Sequence, residues 1–432
     1  MKFLITVWLC LLSGIAAAQV GGGPLTIRIT QGVEGALPIA IVPFEWAGPP
    51  LPQDIAQVIS NDLTRSGRFN VMPAGDLPAR PSDVAQVNFK DWRTVGMDNL
   101  VIGRITATAD GGYMVEFRLL DVFGGKQLAG FQIPSHVSNL RLTAHHISDI
   151  IFKTLLNIDG AFSTRIAYVT VDRKDAKNSL YRLQIADADG YDAKTILESP
   201  QPLMSPAWSP DGNRLAYVSF EERNSAIYVQ DIRTGAREKV VSGMGINSSP
   251  AFAPDGRRLA VTRSMEGNPD IYVVDIASKQ QRRLTTHEAI DTEAAWAPDG
   301  SAIVFTSDRG GGPQIYQMSP NGGDAKRITF NLGNYNSRAS YSPDGKKLVM
   351  VNGGSGYRIV VLDLATGSSR VLTGSSLDES PSFAPNGSMI IYATMGGRGT
   401  ELAAVSVDGT VKQRLALQVG QVREPAWGPF RK

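Results

Sequence analysis

The chain has 432 residues, of which 42% are hydrophobic and 19% charged: enough apolar material for full cores, and not the composition of a disordered polymer. Its 43 Lys and Arg stand against 41 Asp and Glu, a net charge of +2, too even for a protein that holds nucleic acid on a basic face. A single Cys excludes a disulfide framework and any Cys-based zinc site.

Residues 1–18 read as a secretory signal. Lys2 gives the positive start, Phe3 to Leu12 an apolar run too short to span a bilayer as a mature helix, and Ala16-Ala17-Ala18 the small residues for cleavage after Ala18. A retained membrane anchor is the rival reading. Cys10 lies within the apolar run, so the mature chain would carry no Cys, which fits an oxidising bacterial periplasm. No other stretch approaches 18 consecutive apolar residues, so no direct membrane span is expected.

Residues 19–36 stand apart. Gly21-Gly22-Gly23-Pro24 is a flexible tether; Leu25, Ile27 and Ile29 then alternate with Thr26, Arg28 and Thr30, before Gly32 and Gly35. This is a strand on a leash. It is either an edge strand of the domain that follows or a strand that adds to the sheet of a partner.

Residues 37–160 have mixed periodicity. Ile39 to Val42 is a short buried strand; Ile55, Val58, Ile59 and Leu63 share one helical face, with Gly67 as the stop. Asn99 to Thr106, Tyr113 to Asp121 and Gln127 to Ile133 are strands, joined by turns at Asp110-Gly111-Gly112 and Gly124-Gly125. Leu140, Ala144, Ile147, Ile151 and Leu155 line a second helix that ends near Gly160. The pattern is a small α/β domain with helices packed on a sheet.

From 163 to 432 a repeat takes over. SPAWSPDGNRLAYVS (205–219), SPAFAPDGRRLAVTR (249–263), EAAWAPDGSAIVFTS (293–307), RASYSPDGKKLVMVN (338–352) and SPSFAPNGSMIIYAT (380–394) align, and EPAWGPF is a truncated sixth copy. Pro210, Pro254, Pro298, Pro343, Pro385 and Pro429 are spaced by 44, 44, 45, 42 and 44, the period of a four-stranded propeller blade. In each unit an aromatic (Trp208, Phe252, Trp296, Tyr341, Phe383, Trp427) ends the first strand and Pro-Asp-Gly turns the chain. The strands missing after Trp427 appear at the other end, where Arg165-Ile166-Ala167-Tyr168-Val169 matches Arg214-Leu215-Ala216-Tyr217-Val218. The last blade is therefore shared between the two ends, closing a ring of six blades; an open solenoid would need caps instead.

Catalytic motifs are absent or broken. Gly353-Gly354-Ser355-Gly356 is followed by Tyr357 rather than Gly, and His287-Glu288 meets Asp291 where a zinc protease needs its second His. The adjacent His145 and His146 should point in two directions from a helix, and Asp187, Asp189 and Gly190 read as a hairpin turn rather than a calcium loop. One ring of residues remains. Just before each first strand stand Ser205, Ser249, Glu293, Arg338, Ser380 and Glu424, preceded by Met204, Ser248, Thr292, Ser337, Glu379 and Arg423. At the tunnel mouth such columns could form a glycosidase carboxylate pair or a cation site, a polar solvated rim, or a docking surface. A catalytic pair needs two carboxylates facing one substrate, which Arg338, Arg423 and the serines argue against.

The order of signal, tethered strand, α/β domain and six-fold S-P-A-[WF]-[SA]-P-D-G array ending in P-A-W-x-P resembles the TolB family of periplasmic Tol–Pal proteins; FKDWRTVGMDNLVIGRI (89–105) also resembles that family's N-terminal domain. The resemblance implies an α/β N-terminal domain followed by a WD40-like six-bladed propeller, a periplasmic location, no enzymatic activity, no cofactor and a monomeric adaptor. Its implied partners are the lipoprotein Pal, the C-terminal domain of TolA and, in some species, colicins or other outer-membrane proteins, in the service of outer-membrane integrity and constriction at division. It assigns Pal-facing loops to Ile246, Asn247, Ser249, Thr292 and Glu293, with Arg338 and Glu379. It assigns TolA binding to Leu25, Thr26, Ile27, Arg28, Ile29, Thr30, Gln31, Gly32 and Val33. The alternative is a periplasmic propeller enzyme acting on glycans at the tunnel mouth.

Overall fold

The computed structural model describes residues 26–31, 35–173, 179–397, 399–416 and 420–431. The signal segment 1–18 and Leu25, Gly32 and Val33 of the tethered strand lie outside the described residues. Among those described, no helix is long and apolar enough to cross a membrane.

Strand β1 (Thr26–Gln31) comes first in the chain and is followed by β2 (Leu37–Ile41) and β3 (Phe69–Val71). Then come β4 (Asn99–Ala107), β5 (Tyr113–Asp121) and β6 (Lys126–Ser135). A five-stranded sheet has the order β3-β2-β4-β5-β6, with β2 parallel to β3 and β4 and the rest antiparallel. Helix α1 (Ile55–Arg65) begins at Asp54, whose carboxylate accepts from the Gln57 N–H at 3.1 Å. Its Ile55, Val58, Ile59 and Leu63 enter the same core as Leu140, Ala144, Ile147 and Ile151 of the long C-terminal helix, as the spacing predicts. Fully burying a side chain such as Ile147 contributes about 2 kcal/mol. Between them in sequence, the short helix α2 (Phe89–Thr94) plugs the opposite sheet face with Trp92; the long helix is therefore α3 (Leu140–Leu156), stopped by Asn157 in the left-handed region.

The repeat folds into six sheets arranged as blades. The first comprises Leu203–Trp208, Arg214–Glu222, Asn224–Asp231 and Arg237–Val241, and the others follow the same antiparallel order. The Pro-Asp-Gly turns work because glycine tolerates the positive φ they need, 68° at Gly212 and 67° at Gly256. The sixth blade joins Gln421–Trp427 to Arg165–Arg173, pairing Trp427 with Ile166, so the ring is closed by both ends of the array. Trp427 Nε1 locks the seam by donating to Thr164 Oγ1 at 2.9 Å.

Strand β1 corrects one reading. It is not an edge strand of the α/β sheet. It pairs antiparallel with the outer strand of the fifth blade, Lys412–Ala416, from Thr26 opposite Ala416 to Gln31 opposite Lys412. The blade's exposed outer edge offers unpaired backbone groups, which the tethered strand satisfies.

The α/β domain sits on the propeller face that carries the turns between first and second and between third and fourth strands. Arg68 pairs with Asp408 at 3.0 Å, Asn386 Nδ2 donates to the Asp159 carbonyl at 2.7 Å, and Arg141 bonds Asp189. At Gly67 a Cβ would lie 2.7 Å from Val411, so the chain after α1 can approach the fifth blade only without a side chain. The opposite face, where the chain enters each first strand, is left open.

Candidate functional site: the open mouth of the propeller

The ring predicted to stand before the first strands lies inside them. In every blade the pairing of first and second strands skips residues at one place: between Met204 and Ala207, Ser248 and Ala251, Thr292 and Ala295, Ser337 and Ser340, Glu379 and Ser382, and Arg423 and Ala426. The first residue in each gap is in the left-handed region: Ser205 at φ 51°, Ser249 at 50°, Glu293 at 58°, Arg338 at 54°, Ser380 at 55° and Glu424 at 50°. Each bulge re-aims one side chain to the axis, where the six surround a chamber of about 270 Å³.

The chamber is already internally satisfied at its charged positions. Arg338 Nη2 donates to Glu424 Oε2 at 3.0 Å, and the Arg338 backbone N–H donates to Glu293 Oε2 at 2.9 Å. Glu424 also accepts from the Ser205 N–H at 2.7 Å, and Glu293 from Thr306 Oγ1 at 3.0 Å. Burial works against the Arg338 charge, but Glu424 and Glu293 outweigh it and hold the guanidinium above its ordinary pKa. Both carboxylates are thus tied to the same arginine and not poised across a vacant substrate position, which removes the geometric basis of a glycosidase pair. Among the described residues, the one cluster of metal-ligating type, Asp62, His145 and Asp189, lies at the domain joint and not in the tunnel.

Around the chamber the mouth is more apolar than the ring suggests. Met244 and Phe330 are 78% and 61% exposed, and Met204, Ile246, Met265 and Ile290 are also exposed, all in the loops and strand starts of this face. A groove of about 410 Å³ between the first two blades is lined by Met204, Val218, Phe220 and Ile246. The loop carrying Met244 and Ile246 is held in shape: the Ile246 N–H donates to Ser264 Oγ at 2.8 Å and the Ser264 N–H to the Ile246 carbonyl at 3.0 Å.

The residues assigned by resemblance divide. Ser249, Glu293 and Arg338 line the chamber, whereas Ile246 faces the apolar groove. Thr292 and Glu379 are half-buried one position before the ring; the Thr292 hydroxyl meets that of Thr262 at 3.2 Å. Asn247 requires a correction, for it is fully buried and cannot present its side chain to a partner. Its Nδ2 donates to the carbonyls of Ser225 (2.9 Å) and Gly243 (3.3 Å), and its Oδ1 accepts from Arg263 Nε at 2.9 Å. It positions the loop. The exposed Met244 and Phe330 were not singled out from sequence. A large apolar residue between two glycines, as Gly243-Met244-Gly245, was the available signal.

Comparison with known proteins follows the same division of the chain. The family described as the TolB beta propeller domain matches residues 152–431, and the TolB amino-terminal domain matches residues 25–128. A Tol-Pal system protein TolB from Thioalkalivibrio sulfidiphilus is 58% identical over 410 residues, covering 94% of each chain. Another from Xanthomonas oryzae pv. oryzae is 55% identical over 99% of this chain and 97% of its own. The crystal structure of TolB from Acinetobacter baumannii superposes with a TM-score of 0.87 at 43% identity, over 94% of this chain and all (100%) of that one.

Proposed function

The chain belongs to the TolB family of Tol–Pal system proteins, and from that premise we propose that it is a non-enzymatic periplasmic adaptor with two docking sites. Pal occupies the open propeller mouth, and TolA captures β1. Joined in this way, the two partners connect the outer and inner membranes, supporting outer-membrane integrity and constriction at division.

The observation that carries the reading is the mouth itself. An apolar rim of Met244, Ile246, Met265, Ile290 and Phe330 surrounds a polar chamber, on the face that the α/β domain leaves free. Such a surface, apolar in patches and built on clamped loops, loses little freedom on binding a protein. The strand reading rests on β1 pairing with a single blade strand through five residue pairs, which a partner sheet can replace with an equivalent ladder. Pal at the mouth would bias release of β1 by binding one of its two states more tightly.

The test is calorimetric titration with the soluble domain of a Pal from the same organism, using wild type and Ile246→Arg. Ile246 is half exposed and in a loop, so the variant should fold. One-to-one binding weakened at least about tenfold in the variant is expected, as for an interface position of intermediate weight. Equal binding by both proteins would move Pal away from the mouth. A disulfide locking β1 to its blade should abolish TolA binding and spare Pal binding; retained TolA binding would refute the two-state strand.

A further inference from the structure

The joint between the domains holds a buried histidine in an unusual setting. Of the four His, His145 on α3 is 1% exposed, while the adjacent His146 faces solvent. Its Nδ1 lies 2.7 Å from Asp62 Oδ2 on α1. Its Nε2 points the other way, across the joint, at the hairpin between the Ser179–Asp187 and Lys194–Ser199 strands of the sixth blade. There it stands 4.0 Å from Asp187 Oδ2 and 3.9 Å from Asp189 Oδ2. This Nε2 is sealed from solvent and has no hydrogen-bond partner.

We propose that His145 is a protonation-controlled latch between the α/β domain and the propeller. With Nδ1–H given to Asp62, a neutral ring aims a lone pair at two carboxylates; a protonated ring aims an N–H at the same two acceptors. Charge on the ring therefore draws the hairpin onto α3, and loss of that charge removes the attraction. An imidazole is the side chain that makes this change between about pH 5 and about pH 8.

The groups facing the ring come from every element at the joint. On α1, Asp62 is also bonded by Arg65 at 3.1 Å. Burial raises its carboxyl pKa, but His145 and Arg65 more than reverse this and leave it below the ordinary value. On α3, Arg141 bonds Asp189 and approaches Asp187 at 3.6 Å, and Asp149 accepts from the N–H groups of Phe162 (2.7 Å) and Ser163 (3.3 Å). From the C-terminal segment Arg431 reaches Asp187 at 2.7 Å, and Arg165, on the neighbouring strand, is depressed to about 10 by burial and by Arg431. Arg431 takes Asp187 through Oδ1, whereas Arg141 reaches the same Oδ2 atoms that Nε2 faces, so a protonated ring shares those two acceptors with Arg141. A dication could also use Asp62, His145 and Asp189, with Asp62 as the carboxylate that commonly orients a ligating imidazole. It would, however, have to displace Arg141 and sit among three guanidiniums, so a single proton is the better-matched charge.

The latch is connected to β1. The Arg65 carbonyl, at the end of the helix that carries Asp62, accepts from the side chain of Gln413 in the blade strand that pairs with β1, and Arg65 Nη1 donates to the Ala188 carbonyl at 3.4 Å. Loosening the joint should therefore be felt at residues 26–31.

The experiment combines histidine-ring NMR with amide hydrogen exchange on the whole protein from about pH 5 to about pH 8. Exchange rates are corrected for their intrinsic pH dependence. The expected result is that the His145 ring titrates and that exchange at residues 185–191 and 26–31 rises with pH, by about tenfold for each unit separating the ring's proton affinity in the docked and loosened joint. His145→Gln should abolish that rise. Should it fail to fold, Asp189→Asn identifies the His145 resonance by its shift and should flatten the same profile. A ring that stays neutral throughout, or an undiminished rise in either variant, overturns the proposal. So does protection of these amides by stoichiometric zinc at neutral pH that is lost in His145→Gln, which would assign the site to a metal.

Discussion

Replacing Asn247 by Ala separates positioning from contact at the mouth. The side chain makes two neutral hydrogen bonds to carbonyls and accepts one charge-assisted bond from Arg263, which is itself 4% exposed. Neutral bonds contribute about 1 kcal/mol each and a bond to a charged group about 2. Arg263 keeps the Ser242 carbonyl at 2.8 Å and the side chain of Gln281, and the neighbouring loop is exposed enough to admit water. These factors bring the expected loss to about 3 kcal/mol. For a domain of this size that is a fall of about 6–12 °C in melting temperature. Scanning fluorimetry or calorimetry measures it. Affinity for a mouth-binding partner should fall only as far as the Met244–Ile246 loop loses its shape, and Asn247→Asp should not rescue the stability, since it keeps the acceptor for Arg263 but sets a carboxylate oxygen against the Ser225 and Gly243 carbonyls. An Asn247→Ala protein with wild-type melting and lost partner binding would refute the reasoning and restore Asn247 as a contact residue.

Two other outcomes follow from the fold. Deleting residues 421–432 removes the first strand of the sixth blade and leaves Arg165–Arg173 with a bare edge where Trp427 and Val422 had paired; light scattering should report concentration-dependent association, and calorimetry a lower melting temperature than the intact protein. In the α/β sheet, Arg118, with help from Arg104, holds the Glu116 carboxyl below its ordinary pKa, through bonds of 2.7 and 2.8 Å. Because the folded value is depressed, the contribution is complete above the unfolded value of about 4.3 and is lost progressively as pH falls from there through the lower folded value, so Glu116→Gln should flatten the acid limb by about 1 kcal/mol, allowing for the solvent exposure of both arginines.

The propeller was legible because its signals are local and repeated: Pro-Asp-Gly turns at a constant period, and a half-blade at each end whose complement is in the same chain. Helix α2 was less so, since six residues around one Trp92 carry little periodicity. At the mouth, sequence order identified the right columns but not their depth. Nothing local distinguishes Ile246, which is exposed, from Asn247, which is buried; the difference arises from Ser225 and Arg263, which the fold brings from neighbouring strands. The resting place of β1 was hidden for the same reason. Its alternation specifies a strand, while its partner lies some 380 residues later and is chosen by which sheet edge is open.

The six bulges that line the tunnel have an energetic meaning of their own. A residue other than glycine in the left-handed region costs about 1–3 kcal/mol, and the ring holds six of them, none a glycine. Glycine at those positions would relieve the backbone but would leave the axis without side chains. The closed circle instead spreads a conformational debt comparable with the whole net stability of an ordinary domain evenly over its blades, and each blade holds its share through the sheets on either side. The lining can then change identity one position at a time, from serine to glutamate to arginine, with the backbone path around the axis left as it is.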